Sequence, residues 1–220
     1  MFTQAEENYL KAIYKITQHT ADQTVSTKSI ADELGTSSAS VTDMIKKLTD
    51  KSLLSYEKYY GVSLTREGQK LAIMLLRKHR LWEVFLHDKL GFNWDEVHDV
   101  AEQLEHIQSY LLIERLDEFL GYPKFDPHGD PIPNENGNFT YRNQVSLSSV
   151  QETGKKLTML GVRRHQADFL KYLDSIHLKP GVQLTILSKQ AYDQSLRLQI
   201  ADRDEILITQ QVSQDILVKP

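Results

Sequence analysis

The sequence predicts a mainly α-helical chain of 220 residues with a small β domain at its C-terminal end. Two features support this prediction. Apolar residues recur at helical spacing through the first half, interrupted by a β-prone hairpin pattern at residues 53–64. After a linker rich in Pro, Gly and Asn, at residues 121–143, the pattern changes to short runs typical of strands. We therefore predict a winged helix-turn-helix (1–65), a helical middle domain with its linker (66–143) and a β-barrel-like domain (144–220).

Composition narrows the classes of protein to which the chain can belong. A net charge of −4 argues against constitutive nucleic-acid binding, but leaves room for DNA binding that depends on bound cations. The chain has no Cys, which excludes a disulfide framework and thiolate metal ligands. The sequence shows neither a long apolar run nor a secretory signal pattern. We therefore expect a cytoplasmic protein without a membrane partner.

The first domain shows the outline of a winged helix-turn-helix. Residues 3–6 form a capping-box pattern, which predicts a first helix. Thr27 can cap a short second helix that ends at a Gly, and Ser37 or Ser38 can cap a longer third helix. Two β-prone runs within residues 53–64 flank a Tyr/Gly turn and predict a hairpin wing.

The third predicted helix and the wing tip would face DNA in such a module. Small hydroxyl residues near the helix N-terminus would permit close approach to phosphates and base edges. The alternative is an ordinary solvated face. The candidate DNA-contacting residues are Thr27, Ser37, Ser38, Ser40, Thr42, Asp43, Lys46, Lys47, Lys58 and Tyr59.

Two consecutive predicted helices of the middle domain carry His and Glu at helical spacing. On the first, His79 and Glu83 point the same way and interrupt an apolar stripe. Burying them unpaired would cost several kcal/mol, so they need a hydrogen-bond network or a metal ion. On the second helix, four residues share one arc beside the apolar face: His98, Glu102, Glu105 and His106.

A solvated polar face or a structural network is the alternative for either helix alone. Two such patterns, joined by a short turn at residues 91–93, favour a metal site. The available donors are carboxylate, imidazole and amide oxygen, which suit Mn²⁺ or Fe²⁺ better than a closed structural Zn²⁺ site. In the linker, Asp126 and His128 flank Pro127, and they are either solvated turn residues or further ligands.

The remaining elements complete the prediction. We predict a third helix of the middle domain at residues 109–120. The three helices of this domain are too few to bury an independent core, so we expect a homodimer. Such a dimer would present two recognition helices one DNA turn apart. In the C-terminal domain we predict one helix at residues 166–175 and strands at residues 183–187, 195–200 and 205–211.

Several motifs together carry a resemblance to a known family. They are Glu7-Asn8-Tyr9-Leu10-Lys11-Ala12-Ile13-Tyr14, Arg77-Lys78-His79-Arg80-Leu81, the His98-to-His106 helix, Glu114-Arg115-Leu116-Asp117 and Pro127-His128-Gly129-Asp130-Pro131-Ile132-Pro133. Their combination resembles the diphtheria toxin repressor family of metal-dependent transcriptional repressors, in particular its three-domain, manganese-responsive branch. The resemblance covers essentially the whole chain, and it implies that the C-terminal domain is an SH3-like, FeoA-like module.

The resemblance implies ligands, cofactors and partners. The primary metal site would use Asn8, Glu102, Glu105 and His106. The second site would use His79, Glu83, His98, Asp126, His128 and His165. The implied ion is Mn²⁺, with Fe²⁺ as the second candidate and Zn²⁺ or Cd²⁺ as substitutes in vitro. The implied partners are double-stranded operator DNA and a second copy of the chain, and the implied function is repression of metal-uptake genes without any catalytic residue.

The chain departs from the family pattern at several ligand positions. Asn8 stands where manganese-type members usually have Asp, which removes one negative charge from the primary site. Iron-type members carry sulfur ligands at the positions of Asn8 and Glu102, so Glu102 favours a harder ion. Asp126 replaces a linker Cys, which makes the second site harder too. Lys11 stands where short, two-domain manganese regulators have a carboxylate ligand, so we do not expect their paired-metal arrangement.

Two other classes of function stay open at this point. One is a metal-binding hydrolase, although the sequence lacks a His-Glu-x-x-His helix, a nucleophile elbow and a Gly-rich phosphate loop. The other is a metal-independent interaction module, in which the His and Glu residues form a buried hydrogen-bond network. A stability measurement with and without Mn²⁺ would distinguish the second class, since a ligand that binds only the folded state stabilises it.

Overall fold

A computed structural model of the chain describes residues 2–18, 20, 24–57, 60–201 and 205–220. The chain divides into two compact units. The first unit contains Met1–His79, Gln103–Tyr110 and Pro133–Asn138. The second unit contains Arg80–Glu102, Leu111–Ile132 and Phe139–Pro220.

The order of elements confirms the predicted fold class. The helices are α1 Gln4–Thr17, α2 Thr27–Leu34, α3 Ser38–Asp50, α4 Arg66–Leu90, α5 Val97–Leu104, α6 Tyr110–Phe119, α7 Ala167–Ser175 and α8 Gln210–Asp215, with a 3-10 turn at Leu147–Ser149. The strands are β1 Leu54–Glu57, β2 Gly61–Leu64, β3 Val145–Ser146, β4 Lys156–Val162, β5 Gln183–Lys189, β6 Leu196–Ile200, β7 Glu205–Ile208 and β8 Ile216–Lys219. Among the described residues, no helix is long and apolar enough to cross a membrane.

The first unit contains a winged helix-turn-helix. Its helices α1, α2 and α3 pack around a core that includes Leu10, Ile13, Ile30, Val41, Ile45 and Leu48. The predicted wing is confirmed, because β1 pairs with β2 in an antiparallel hairpin. Val25 extends this small sheet, since it exchanges backbone hydrogen bonds with Val62 at 2.8 and 2.9 Å.

The helix caps agree with the sequence except at α2. Ser26, not Thr27, caps this helix: it has an extended backbone conformation, and its hydroxyl accepts the Ser29 amide at 3.0 Å. Thr27 is the first helical residue, so the prediction was one position late. Ser37 caps α3 by the same geometry, with its hydroxyl 3.2 Å from the Ser40 amide.

Glu6 links α1 to α3 through a buried carboxylate. Besides its role in the capping box with Thr3, Glu6 accepts a hydrogen bond from Lys51 at 2.6 Å and forms an ion pair with Lys47 at 3.0 Å. The hydrogen bond from Lys51 is the main reason that the pKa of Glu6 falls to about 2, and Thr3 and Lys47 add to it. Ionised Glu6 is therefore favoured in the folded chain relative to the unfolded one.

This shift predicts a pH-dependent loss of stability. The contribution of Glu6 is complete above its ordinary pKa of 4.5 and disappears as the pH falls toward 2. Glu6→Gln should therefore lower the free energy of unfolding at neutral pH, and its deficit relative to wild type should shrink as the pH falls between these values. Urea unfolding of metal-free protein measures this. Glu33→Gln, on the exposed face of α2, is the control. A Glu6→Gln deficit that stays constant with pH would contradict the prediction.

The middle helices begin and end near the predicted positions, with one correction. Helix α5 ends at Leu104, so Glu105 and His106 lie in the following turn and not on the predicted helix, which was to continue to His106. In this turn the Ile107 amide donates to the Leu104 carbonyl at 3.2 Å. Hydrophobic periodicity could not locate the C-terminal end of α5, because the residues that contact Glu105 are distant from it in the sequence.

The second unit contains a six-stranded antiparallel sheet in the order β3-β8-β4-β5-β6-β7. The predicted SH3-like β domain is confirmed as a class. Within the described strands no ladder joins β3 to β7, so the sheet is open and not a closed barrel. The predicted strand 205–211 ends at Ile208, because Thr209 caps α8 with its hydroxyl 3.3 Å from the Val212 amide.

Two glycines allow the linker loop around His128 to lie directly against β4. A Cβ on Gly161 would stand 2.4 Å from the His128 carbonyl oxygen, and a Cβ on Gly129 would stand 2.3 Å from that of Leu160. The close approach permits the Val162 amide to donate to the His128 carbonyl at 2.9 Å. The linker is thereby anchored to the sheet at the residue that the sequence singled out as a candidate ligand.

Candidate metal centres and nucleic-acid interface

The carboxylate of Glu105 is the centre of a buried polar cluster in the first unit. Lys11 donates to both of its oxygens, at 2.6 Å to Oε1 and 2.8 Å to Oε2. His79 Nδ1 lies 2.7 Å from Oε2, and it must be the donor because an ionised carboxylate only accepts. All three side chains are almost completely buried.

Glu105 is ionised in this cluster despite its burial. Burial by itself would raise the pKa of Glu105, but the hydrogen bond from His79 and the charge of Lys11 outweigh it and lower the pKa. A second cation stands nearby: Lys78 has a pKa lowered by burial and raised in part by the charges of Glu7 and Glu105. The cluster therefore holds the buried Glu105 carboxylate in its ionised form.

His106 is held beside Glu105 with the lone pair of one ring nitrogen available for a metal ion. Its Nδ1 lies 2.5 Å from Glu7 Oε2, and the carboxylate again requires the imidazole to donate. Gln108 donates to the other oxygen of Glu7 at 3.0 Å. His106 Nε2 stands 3.9 Å from Glu105 Oε1. A carboxylate that fixes one imidazole nitrogen and leaves the other with a lone pair is the usual support of a metal-binding His.

Asn8 provides an oxygen that no protein group satisfies among the described residues. Its Oδ1 is buried and has no hydrogen-bond partner there, although buried polar atoms are nearly always paired. The amide oxygen of Asn is a ligand for hard divalent ions. Asn8, Glu105 and His106 therefore fit the donor set of a metal such as Mn²⁺.

A second cluster lies in the second unit around Glu83. Its Oε1 stands 3.5 Å from His98 Nδ1 and 3.7 Å from His128 Nδ1. His98 Nε2 in turn is 3.7 Å from Glu102 Oε1. Glu83, Asp126 and His128 each offer one ligand atom, and these atoms lie within 4.8 Å of one another. This grouping of two carboxylates and one imidazole fits a divalent ion of the same class.

His128 is oriented in the same manner as His106. Its Nε2 lies 2.7 Å from the Trp94 carbonyl, which can only accept, so Nδ1 carries the lone pair when the ring is neutral. Burial would lower the pKa of His128, but the adjacent carboxylates of Glu83 and Asp126 raise it to about 9. The cluster therefore attracts positive charge to this position.

Asp126 is more strongly engaged by the protein than the sequence indicated. Its Oδ1 accepts the amides of His128 and Asp130 at 2.9 and 3.0 Å, and its Oδ2 lies 3.4 Å from Arg80 Nε. Burial and the nearby carboxylates of Asp130 and Glu83 raise the pKa of Asp126 to about 7. The carboxylate thus shapes the turn that carries His128, besides offering a ligand atom.

His165 lies beside the second cluster. Its ring stacks on that of His128, with centroids 4.6 Å apart, and its Nε2 is 3.9 Å from Asp130 Oδ2. His165, which the family resemblance implies as a ligand of the second site, therefore lies next to other candidates of its unit.

The two predicted ligand sets are distributed over both units. Of the predicted primary set, Asn8, Glu105 and His106 lie in the first unit and Glu102 in the second. Of the second set, His79 lies in the first unit, where it contacts Glu105. The other five members lie in the second unit: Glu83, His98, Asp126, His128 and His165.

The predicted DNA-facing residues are mostly exposed, but several are already engaged. The exposed members are Ser37, Ser38, Ser40, Thr42, Asp43, Lys46 and Lys47, and Thr27 is half-buried. Ser37 and Ser40 bond each other at 2.9 Å, and Lys47 pairs with Glu6. Lys46 has an exposed side chain on the outer face of α3. Lys58 and Tyr59 lie outside the described residues.

Sequence reasoning missed the residues that orient the candidate ligands. Glu7 holds His106 in place, the Trp94 carbonyl holds His128, and Arg80 holds Asp126. Lys11 was noted only as a departure from a ligand position. Glu7 and His106 are 99 residues apart, and Lys11 and Glu105 are 94 residues apart. No local spacing signals such pairs.

Three family models match successive parts of the chain. The model described as "Iron dependent repressor, N-terminal DNA binding domain" matches residues 1–62. The model described as "Iron dependent repressor, metal binding and dimerisation domain" matches residues 65–134, which include most candidate ligands. A FeoA domain model matches residues 145–220.

The "HTH-type transcriptional regulator MntR" of Oceanobacillus iheyensis is 36% identical over 126 residues, which are 57% of this chain and 84% of that protein. The chain is a member of the diphtheria toxin repressor family. Members of this family are metal-dependent, DNA-binding transcriptional repressors and not enzymes, and this is the functional class of the chain.

Solved structures extend the similarity of this repressor to its C-terminal domain. A manganese-dependent transcriptional repressor in complex with manganese superimposes with a TM-score of 0.83 at 33% identity, covering 97% of this chain and 99% of that one. ScaR with bound Cd²⁺ superimposes with a TM-score of 0.77 at 36% identity, covering 97% and 98%.

Proposed function

We propose that this repressor is activated by Mn²⁺, with Fe²⁺ as the second candidate ion, and that it represses metal-uptake genes in the cytoplasm by binding their operator DNA as a homodimer. Two observations in the first unit carry the proposal. Asn8 Oδ1 is buried and lacks a hydrogen-bond partner among the described residues, while in the same unit Glu7 orients His106 so that Nε2 carries the lone pair that can bind a metal ion. These oxygen and nitrogen donors suit Mn²⁺ and Fe²⁺, and the manganese named in the similar solved structure agrees with them.

The proposed ligands are those that the family resemblance implies. The primary set is Asn8, Glu102, Glu105 and His106. The second set is His79, Glu83, His98, Asp126, His128 and His165. We retain domain boundaries at residues 1–65, 66–143 and 144–220 as part of this proposal.

The described contacts indicate how the chain prepares these ligands. Glu7 orients the His106 ring, and the cluster around Glu105 keeps that carboxylate ionised. Asn8 lies on α1 of the helix-turn-helix, whereas Glu105 and His106 follow α5. A bound divalent ion would supply positive charge that ties these segments together. If that arrangement favours DNA binding, DNA must strengthen metal binding by the same factor.

The proposed dimer and DNA surfaces rest on exposed side chains. Tyr110, Leu111 and Phe119 of α6 are about 60% exposed, which is typical of apolar residues that a partner covers. On α3, the capped N-terminus and the exposed Lys46 suit contact with phosphate and base edges. Two copies would place two such helices on one operator.

Metal-dependent binding to the upstream region of its own gene is the direct test. We expect fluorescence anisotropy at fixed ionic strength to show tight, sequence-selective binding only after Mn²⁺ or Fe²⁺ is added, and none with chelator. Mn²⁺ should also raise the unfolding temperature in the absence of DNA. Equal DNA binding with and without metal, together with an unchanged unfolding temperature, would instead indicate a metal-independent module.

Two lysine variants distinguish a direct contact of α3 with DNA from a general effect of positive charge on DNA affinity. Lys46→Ala should weaken binding to every DNA sequence and reduce the slope of log affinity against log salt by about 1. Lys70→Ala is the matched control, because Lys70 is exposed on α4 and pairs with Glu67 of the same helix at 2.8 Å. Equal effects of the two variants would argue against α3 as the DNA-contacting helix.

A further inference from the structure

We propose that Lys11 is a built-in cation that competes with the divalent ion for Glu105 and thereby sets the metal concentration at which this repressor responds. The inference rests on the proposed function, since it assigns Glu105 to the primary site. The buried ammonium group of Lys11 contacts both carboxylate oxygens of Glu105, and the proposed function does not require this contact.

The hydrogen bonds around Glu105 leave little room for another cation. A carboxylate has about four lone-pair positions, two on each oxygen. Lys11 occupies one on Oε1 at 2.6 Å, and Lys11 and His79 occupy both on Oε2 at 2.8 and 2.7 Å. The remaining position is on Oε1, the oxygen that lies 3.9 Å from His106 Nε2. Any ion bound there would stand close to the Lys11 ammonium.

The charges make this proximity unfavourable. Lys11 and Glu105 are both almost completely buried, so their interaction and any repulsion from a second cation are weakly screened. In the metal-free protein Lys11 compensates the charge of the buried Glu105 carboxylate, which also accepts a hydrogen bond from His79, and Lys11 thereby stabilises that state. A divalent ion must therefore bind against the repulsion of Lys11 or displace its ammonium from Glu105. Either way Lys11 lowers the affinity for the ion.

A matched pair of lysine variants tests this inference. Lys11→Met should tighten Mn²⁺ binding about tenfold or more at the step that Glu105→Ala abolishes, and should lower the unfolding temperature of metal-free protein. Lys51→Met is the control, because it also removes one cation from a buried carboxylate, that of Glu6, which keeps Lys47 at 3.0 Å. The control should leave the Mn²⁺ affinity close to that of wild type. Isothermal titration and Mn²⁺ electron paramagnetic resonance give the affinities without DNA.

A second variant covers the case in which Lys11→Met does not fold without metal. Lys11→Gln removes the charge but keeps a hydrogen-bond donor, and it should also bind Mn²⁺ more tightly than wild type. Unchanged or weaker binding by the folded variants, while wild type binds, would overturn the role of Lys11 and leave the proposed function intact. Equal tightening by Lys51→Met would overturn it too, since general charge would then be the cause. Failure of wild type and all variants to bind Mn²⁺ would overturn the proposed function itself, and the inference with it.

Discussion

Glu105→Ala should abolish Mn²⁺-dependent DNA binding and destabilise the metal-free protein by about 3–5 kcal/mol. The first effect follows from its proposed place in the primary metal site. The second follows from its contacts, because the variant removes the carboxylate that accepts hydrogen bonds from the buried Lys11 ammonium and the His79 ring. Fluorescence anisotropy at limiting Mn²⁺ measures the first effect, and urea unfolding in the presence of chelator measures the second.

The double variant distinguishes the two effects of this substitution. Lys11→Met combined with Glu105→Ala should be more stable than Glu105→Ala alone, because the buried Lys11 charge is then removed together with the Glu105 charge that compensates it. DNA binding should stay absent in the double variant. Glu67→Ala, at an exposed position of α4, is the control for both measurements. If Glu105→Ala bound operator DNA as tightly as wild type at limiting Mn²⁺, the proposed mechanism would be wrong.

Gly161→Ala should destabilise the protein by about 1–3 kcal/mol and disturb the second metal cluster. The new Cβ would stand 2.4 Å from the His128 carbonyl oxygen, so the linker loop must move away from β4. That movement breaks the 2.9 Å hydrogen bond from the Val162 amide and displaces the His128 ring from Glu83. Calorimetric titration with Mn²⁺ should therefore lose or weaken one binding step, while the step that requires Glu105 remains.

Gly154→Ala separates this contact from the ordinary cost of replacing a glycine. Gly154 has φ +78° and nothing within 4 Å of its ideal Cβ, so its replacement strains only the local backbone. It should destabilise the protein without changing Mn²⁺ binding. The proposed role of the close approach at Gly161 is refuted if Gly161→Ala leaves both Mn²⁺ binding steps unchanged.

The helix-turn-helix and its wing were predictable because their signals are local. A capping box at Thr3 and Glu6, the Gly that ends α2, and β-prone runs around a turn each act within a few residues. The errors were local as well: the cap of α2 lies one residue earlier, and α5 stops before Glu105. In the C-terminal domain, β4 and β8 were missed, and the two strands pair across 54 or more residues.

The types of donor could also be inferred from the sequence, because helical spacing places His79 with Glu83 and His98 with Glu102 on common faces. The family was inferred from the resemblance of several motifs. Spacing along one helix does not determine which distant side chains hold each donor. Tertiary structure alone places Lys11 and His79 on Glu105, Glu7 on His106, and the Trp94 carbonyl on His128. The sequence thus determined which chemical groups are available. The fold decided which of them are ionised, oriented or already paired with an internal cation, because burial and long-range contacts set those properties.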